Sequence, residues 1–231
     1  LGPITISTAP EKATSSPMAR DRVSRSPGPK KWDSPAANSG YMEISTAAMA
    51  PDLEAIQRAS FPSLAPDELI TAAHYRAHIA AFPEGQHAVL DAVGRVVGCS
   101  TDFRTRQGTF WSFDDVAHTY MEAVGDNWLT NHVPEGTWLY GADIGILPDY
   151  RRMGLGKLLY QARHDLVRRL NLKGHIAGGM PKGYYKFKDE LSIEAYIERV
   201  IAGALFDPVL SVQLKRGFEV YEIMPDYLDD P

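Results

Sequence analysis

The sequence predicts an α+β domain, and three observations carry that reading. Residues 138–146, Trp-Leu-Tyr-Gly-Ala-Asp-Ile-Gly-Ile, form an apolar, β-prone run that Pro148 and Asp149 end. From Lys157 the period changes: Leu158, Leu159, Ala162, Leu166, Val167 and Leu170 recur at spacings of three and four, the mark of an amphipathic helix. Between the two stand Gly154 and Gly156, with Arg151, Arg152 and Lys157 around them. A strand, a cationic glycine turn and a helix start bring backbone N–H groups to the positive end of a helix dipole. That suits a phosphate or pyrophosphate. A glycine turn whose cations merely face water is the alternative.

The turn excludes two phosphate motifs. A P-loop requires Gly five residues before Gly156 and Ser or Thr after the lysine; Arg151 and Leu158 stand there. A dinucleotide fingerprint requires a third glycine where the chain has Leu159.

The remaining elements follow in order. Residues 1–40 are rich in Pro and Ser, with Trp32 the sole aromatic, and are expected to be a disordered leader. Residues 41–46 alternate as a first strand, and 49–59 read as a helix with Pro51 and Asp52 near its start. A second helix is expected over 67–81. On it His74 and His78 lie four apart, without the Glu of a zinc-protease motif, and are read as surface or core-edge residues. Residues 87–92 and 95–103 form a hairpin through Val93 and Gly94, with Cys99 a buried strand residue that has no local base.

Residues 104–136 are a long connection with a helix expected over 113–124. Its Trp111, Phe113, His118, Tyr120, Trp128 and His132 either shape a pocket or pack over the sheet. After the central strand and helix, 174–179 read as a strand beside the central one, with the helix as crossover. Residues 180–188 are a cationic aromatic loop whose lysines face either the phosphates of a ligand or, as is expected, water. Helices over 192–201, capped by Ser192, and 206–215 precede a last strand over 218–223 and an acidic tail.

Composition bounds the function. Among 231 residues, 44% are hydrophobic, enough for a sizeable core, and the formal net charge is −5, which disfavours a nucleic-acid partner. One cysteine excludes an internal disulfide and a cysteine-built zinc cluster, and fits a reducing cytoplasm, the expected compartment. No apolar run reaches membrane-span length, so no membrane partner is expected, and no signal-peptide core is read near Leu1.

Arg151-x-x-Gly154-x-Gly156 after a strand ending Ile-Gly-Ile-Leu-Pro-Asp-Tyr resembles the acyl-CoA turn of the GNAT N-acyltransferases. Arg216-Gly217-Phe218 before the last strand is similar to a second landmark of that family. The stretches 82–86, 177–179 and 207–218 resemble a bacterial subgroup sometimes fused to a carbon–nitrogen hydrolase domain. The resemblance covers residues 41–227. It implies the GNAT fold, a mixed, mostly antiparallel central sheet flanked by helices on both faces, with 104–136 an insertion near the acceptor pocket of a 41–231 domain.

It further implies acetyl-CoA as co-substrate and no metal. The turn Arg151, Arg152, Met153, Gly154, Leu155, Gly156, Lys157 would hold the pyrophosphate, and Ile144, Gly145 and Ile146 would run beside the pantetheine arm. The acceptor would be a small-molecule or protein amine, and a homodimer is compatible with the reading. The sequence departs from the family at the proton-transfer residues. Gln213 occupies the place of the common Tyr donor, with Ser211 a poor neighbour for that role, and Tyr140 occupies the place of a Glu base found in some members. Asp143 is the nearest carboxylate on the strand. Glu84, His118 and His132 are alternative bases, and Tyr160, Tyr184, Tyr185 and Tyr221 alternative donors by residue type. Loss of the donor also leaves open a non-catalytic acyl-CoA-binding or sensing module.

Overall fold

The computed structural model describes residues 4–8, 40–106, 119–224 and 227–228. Their strands are β1 (Ile4–Thr8), β2 (Tyr41–Ile44), β3 (Gln86–Leu90), β4 (Val96–Thr105), β5 (Trp138–Ile146), β6 (His175–Gly179) and β7 (Glu219–Ile223). Their α-helices are α1 (Ala50–Ser60), α2 (Ala72–Ala81), α3 (Tyr120–Val124), α4 (Leu155–Arg169), α5 (Ile193–Ile201) and α6 (Leu210–Leu214). The strands form one sheet in the order β2-β3-β4-β5-β6-β1-β7, antiparallel except at β5–β6. The α4 crossover makes that parallel pair, as its period and position require. β3 is buried along its whole length because helices cover both faces of the sheet.

Leu53 and Ile56 of α1 and Tyr75 of α2 pack with Ala88 and Cys99 on one face. Leu155 and Leu159 of α4 pack with Val89 and Val97 on the other. Tyr196, Ile197 and Val200 of α5 join Leu210 of α6, Tyr160 of α4 and Phe218 in a further cluster. Cys99 is buried, and burial pushes its thiol pKa well up, so it is an inert core residue.

Several elements differ from the sequence reading, each for a local reason. α2 starts at Ala72 rather than 67 because Thr71 and His74 form a reciprocal cap: Thr71 Oγ1 accepts from His74 N and His74 Nδ1 accepts from Thr71 N. His78 is not at the surface. It is 1% exposed, with Nε2 2.6 Å from the Asn127 carbonyl oxygen. α6 starts at Leu210 because the Asp207 carboxylate accepts from the main-chain N–H groups of Val209 and Leu210. Of the helix expected over 113–124, only α3 falls within the described residues; Thr119 and Glu122 cap it.

The largest correction concerns Ile4–Thr8, within the leader expected over 1–40; residues 1–3 and 9–39 of that expectation lie outside the described residues. Ile4–Thr8 is a strand, seated between β6 and β7 and antiparallel to both. Its Ile-Thr-Ile-Ser-Thr sequence is β-branched enough to extend, and pairing on both sides satisfies its backbone without a large apolar payload. β1 pairs with Gly178 and Gly179, which lie beyond the last β5–β6 pair, Gly141 with Ala177. Deleting residues 1–10 is therefore expected to speed hydrogen exchange at Gly178 and Gly179 by at least about tenfold, as their ladder opens. Unchanged protection by mass spectrometry would show that another segment holds this edge.

Candidate active site

β5 and β6 share only three residue pairs, Leu139 with His175, Tyr140 with Ile176 and Gly141 with Ala177. Beyond them the strands part, and the main chain of residues 142–146 faces no strand on the β6 side. A cleft with a cavity volume of about 140 Å³ opens there. Its lining includes Asp143 and Ile144 of β5, Tyr160 and Arg163 of α4, Gln57 of α1, Gln213 of α6, and Lys182, Tyr120 and Tyr227.

A bulge decides which β5 side chains face where. The β4–β5 register slips between Thr101, opposite Asp143, and Asp102, opposite Gly141. On the N-terminal side of the slip, Leu139 packs toward α4 and Tyr140 toward α3. On the C-terminal side the alternation is inverted. Ile144 and Ile146 pack with Leu155 and Leu159 of α4, while a Cβ on Gly145 would stand 3.0 Å from Ile56 Cγ2 and 2.8 Å from Ser60 Oγ of α1. Tyr140 and Asp143, three residues apart, therefore share the face of α1–α3.

The two candidates fare differently. Asp143 lines the cleft. Its Oδ1 accepts from Thr101 N at 2.8 Å and its Oδ2 from the Tyr75 hydroxyl at 3.0 Å. Burial raises the Asp143 pKa above the usual carboxylate range, opposed by Arg163 and by these hydrogen bonds. Tyr140 is outside the lining. Its hydroxyl pairs with that of Tyr227, and burial pushes its pKa up to about 12.

Ser211 is also outside the lining: its Oγ accepts from Asp207 N at 2.9 Å, closing the loop before α6. Gln213 lines the cleft, and Tyr160 lines it too. Tyr160 is thus the α4 tyrosine at the same point of the cleft. Burial raises its pKa, opposed by Arg163 and Gln213.

The other candidates lie elsewhere. Tyr184 donates to the Leu191 carbonyl, Tyr185 and Tyr221 are exposed, and Glu84 lies in the turn before β3. His132 stacks on Phe82 and accepts from Arg104 N, so it packs the insertion. Trp128 meets His74 edge-on, leaving Tyr120 as the described aromatic of 104–136 that reaches the cleft. Trp111, Phe113 and His118 lie outside the described residues.

Arg163 was not singled out from the sequence, although a signal existed. It sits amid the apolar stripe of α4, three residues before Leu166 and four after Leu159, where a cation needs a buried partner. Its Nε stands 2.7 Å from Asp102 Oδ1, with both side chains at most 1% exposed. Its Nη2 donates to the carbonyls of Thr101 and Asp143, clamping the two strands at the bulge. Gly141 is required there: a Cβ would lie 2.9 Å from Arg163 Nη1 and 2.6 Å from His175 Nε2. Lys182, of the cationic loop expected to face water, is exposed and also lines the cleft; Gln57 and Tyr227 were missed, and nothing in their local sequence marks them.

The glycine turn lies at the start of α4. Arg151 Nε donates to Ile146 O and its Nη2 to Ala59 O, while the Tyr150 hydroxyl donates to Asp91 Oδ2. The turn is thereby tied to β5, α1 and the β3–β4 hairpin, and Arg151 is an anchor. Gly154 has φ +83° and supplies no side-chain cap to α4, whose first turn carries no acid. Gly156 is different. It lies inside α4, where glycine costs roughly 1 kcal/mol against alanine, and a Cβ there would meet no atom within 4 Å. Protein packing therefore does not demand that glycine. Leu155 turns its side chain into the core, Met153 is exposed, and Arg152 is exposed at φ +65°. Among the described residues, no group of three or more His, Cys, Asp or Glu could hold a metal ion, and no helix is long and apolar enough to cross a membrane.

Splayed central strands, a bulge and a glycine-capped helix define the GNAT class of fold, and solved structures share it. A GNAT-like decarboxylase, GphF, in complex with isobutyryl-CoA superposes with a TM-score of 0.65 at 18% identity, over 82% of this chain and 91% of that one. The loading GNATL domain of CurA from Lyngbya majuscula gives 0.66 at 16%, over 83% and 90%. Among curated proteins, the uncharacterized N-acetyltransferase YkwB of Bacillus subtilis is 34% identical over 179 residues, 77% of each chain. The probable hydrolase YhcX of the same organism is 38% identical over 175 residues, 76% of this chain; the match spans a third of that protein's length. No family model matches the chain. The chain belongs to the GNAT superfamily of N-acetyltransferases.

Proposed function

We propose that the protein transfers an acetyl group from acetyl-CoA to a primary amine by direct attack. The observation that carries this reading is the arrangement of three parts: a helix start at Gly154 with no acid in its first turn, the stretch of β5 beyond its last pair with β6, and a cleft lined by a carboxyl, Asp143, and a hydroxyl, Tyr160. Acetyl-CoA supplies the activated acyl group as a thioester. The main-chain N–H groups from Arg151 to Lys157 hold its pyrophosphate at the positive end of α4. Residues 144–146 lie along the pantetheine arm; the Ile144 side chain lines the cleft, while Gly145 serves through its main chain because its Cα faces α1.

Asp143 accepts the proton that the amine loses as its nitrogen bonds to the carbonyl carbon. Tyr160 donates a proton to the sulfur as the carbon–sulfur bond breaks. Tyr160 thereby takes the duty that Gln213 lacks. Tyr140 and Ser211 act as packing residues. Gln213 is also the observation favouring a non-catalytic acyl-CoA-binding module, and release of CoA thiol in the presence of amines separates the two.

Gly156→Glu puts a bulky anion in the open space at the start of α4 without a positive-φ constraint. It is expected to weaken acetyl-CoA binding at least about tenfold by calorimetry, with an unchanged circular dichroism spectrum. Equal affinity in the variant would remove the turn from the cofactor site, and no binding to the native protein would remove the acyl-CoA reading. A matching Tyr160→Phe variant is expected to lower kcat by roughly 10²-fold or more while leaving acetyl-CoA affinity in place.

A further inference from the structure

The charge balance of the cleft narrows the acceptor. Among the described residues its lining holds one carboxylate, Asp143, and two cations, Arg163 and Lys182. Arg163 is matched by Asp102 behind the strand. Asp143, which accepts from Thr101 N and the Tyr75 hydroxyl and feels the Arg163 charge, and the exposed Lys182 are the charged groups of the lining outside that ion pair. The Lys182 ammonium stands 5.9 Å from the centre of the Phe61 ring, which lines the same cleft, so the lysine leans across from the β6 side toward α1. Most of the other lining is apolar or aromatic, with Leu64, Tyr120, Tyr227 and Leu228 among it.

We infer that the acceptor is a zwitterionic amino acid with an apolar side chain, its amine at Asp143, its carboxylate at Lys182 and its side chain against the rings. The inference rests on the acetyl-transfer reading of the cleft. A polyamine or aminosugar carries several cations; here it would find one carboxylate, and its further charges would face Lys182. A simple apolar amine would satisfy Asp143 and bring no carboxylate to the Lys182 ammonium, which is exposed at the rim of the cleft beside the Phe61 ring. An exposed lysine at the cleft attracts the acceptor that carries a carboxylate.

The experiment measures acetyl transfer by CoA thiol release with phenylalanine, leucine, phenethylamine and spermidine, alongside calorimetry with acetyl-CoA. Phenylalanine or leucine is expected to exceed phenethylamine and spermidine at least tenfold in kcat/KM. Lys182→Met is expected to shrink the phenylalanine-to-phenethylamine ratio about tenfold through KM, with acetyl-CoA affinity kept, and Lys182→Arg to restore much of it. A preference for phenethylamine or spermidine overturns the inference. So does an equal loss on both amines in Lys182→Met, or a fall in its acetyl-CoA affinity, which would assign the lysine to the cofactor. Acetyl-CoA binding with none of the four acetylated overturns the inference alone; no acetyl-CoA binding overturns the underlying function as well.

Discussion

Arg163→Met is expected to destabilise the protein by about 3–5 kcal/mol, the usual result of removing one member of a buried ion pair. The Asp102 side chain is 0% exposed and its Oδ1 lies 2.7 Å from Arg163 Nε, so the substitution strands a carboxylate in the core. It also removes the donor to two strand carbonyls at the bulge, those of Thr101 and Asp143. For a domain of this size the melting temperature should fall on the order of 10 °C. Asp102→Leu combined with Arg163→Met should recover part of the loss, since no unpaired charge then remains; a double-mutant cycle by thermal denaturation measures the coupling. A loss below about 1 kcal/mol in the single variant would show that water or a shifted side chain reaches Asp102. The outcome bears on function, because the clamp lies where β5 leaves β6 and where the bulge turns Asp143 toward α1 and α2.

The elements were legible where one physical signal was strong. The apolar run of β5, the three-and-four spacing of α4 and the glycines between them stand in the structure close to where the pattern puts them. α2 and α6 came out shorter because capping by Thr71 and Asp207 overrode an apolar spacing that continued past the caps. β1 was hidden by its surroundings. Five β-branched or small polar residues sit in a Pro- and Ser-rich stretch, and their stabilisation comes from main-chain pairing with β6 and β7, nearly the whole chain away in sequence.

The site divides in the same way. The glycine turn proposed for the cofactor is local in sequence, so its glycines and cations could be read together. The residues proposed for proton transfer are not local. Asp143 and Tyr160 meet in one cleft only because a bulge reverses the alternation of β5 after Gly141 and because α4 returns over the splay. A strand read with strict period two places Tyr140 and Asp143 on opposite faces, and no composition signal announces the extra residue. Arg163 could have been suspected from its place in an apolar stripe. Tyr227 could not, since nothing in the acidic tail indicates that its hydroxyl meets that of Tyr140.

Asp143→Asn is expected to lower kcat/KM by roughly 10²–10⁴-fold, the range for removing a general base. The substitution suits the site. An amide oxygen can still accept from Thr101 N, and the Tyr75 hydroxyl can turn from donor to acceptor toward the new NH₂ group, so the geometry survives while the basicity does not. In the native enzyme, kcat/KM should rise with pH through the Asp143 pKa, which burial displaces above the usual carboxylate range; the variant should lack that limb. Tyr160 titrates above the ordinary tyrosine range and stays protonated across it. Stability should move the other way. A carboxyl whose folded pKa is raised stabilises the fold fully below its unfolded pKa, and this contribution is lost as pH rises through the folded value, because the native state holds the proton longer than the unfolded one. An asparagine does not titrate. The melting temperature of Asp143→Asn relative to the native protein should therefore climb with pH from the ordinary aspartate range up to the Asp143 pKa and level off beyond it. A variant that loses activity while gaining stability at neutral pH would mean the buried carboxylate is kept for chemistry. One that loses both would place Asp143 among the structural partners of Thr101 and Tyr75 and return the base to another group of the cleft.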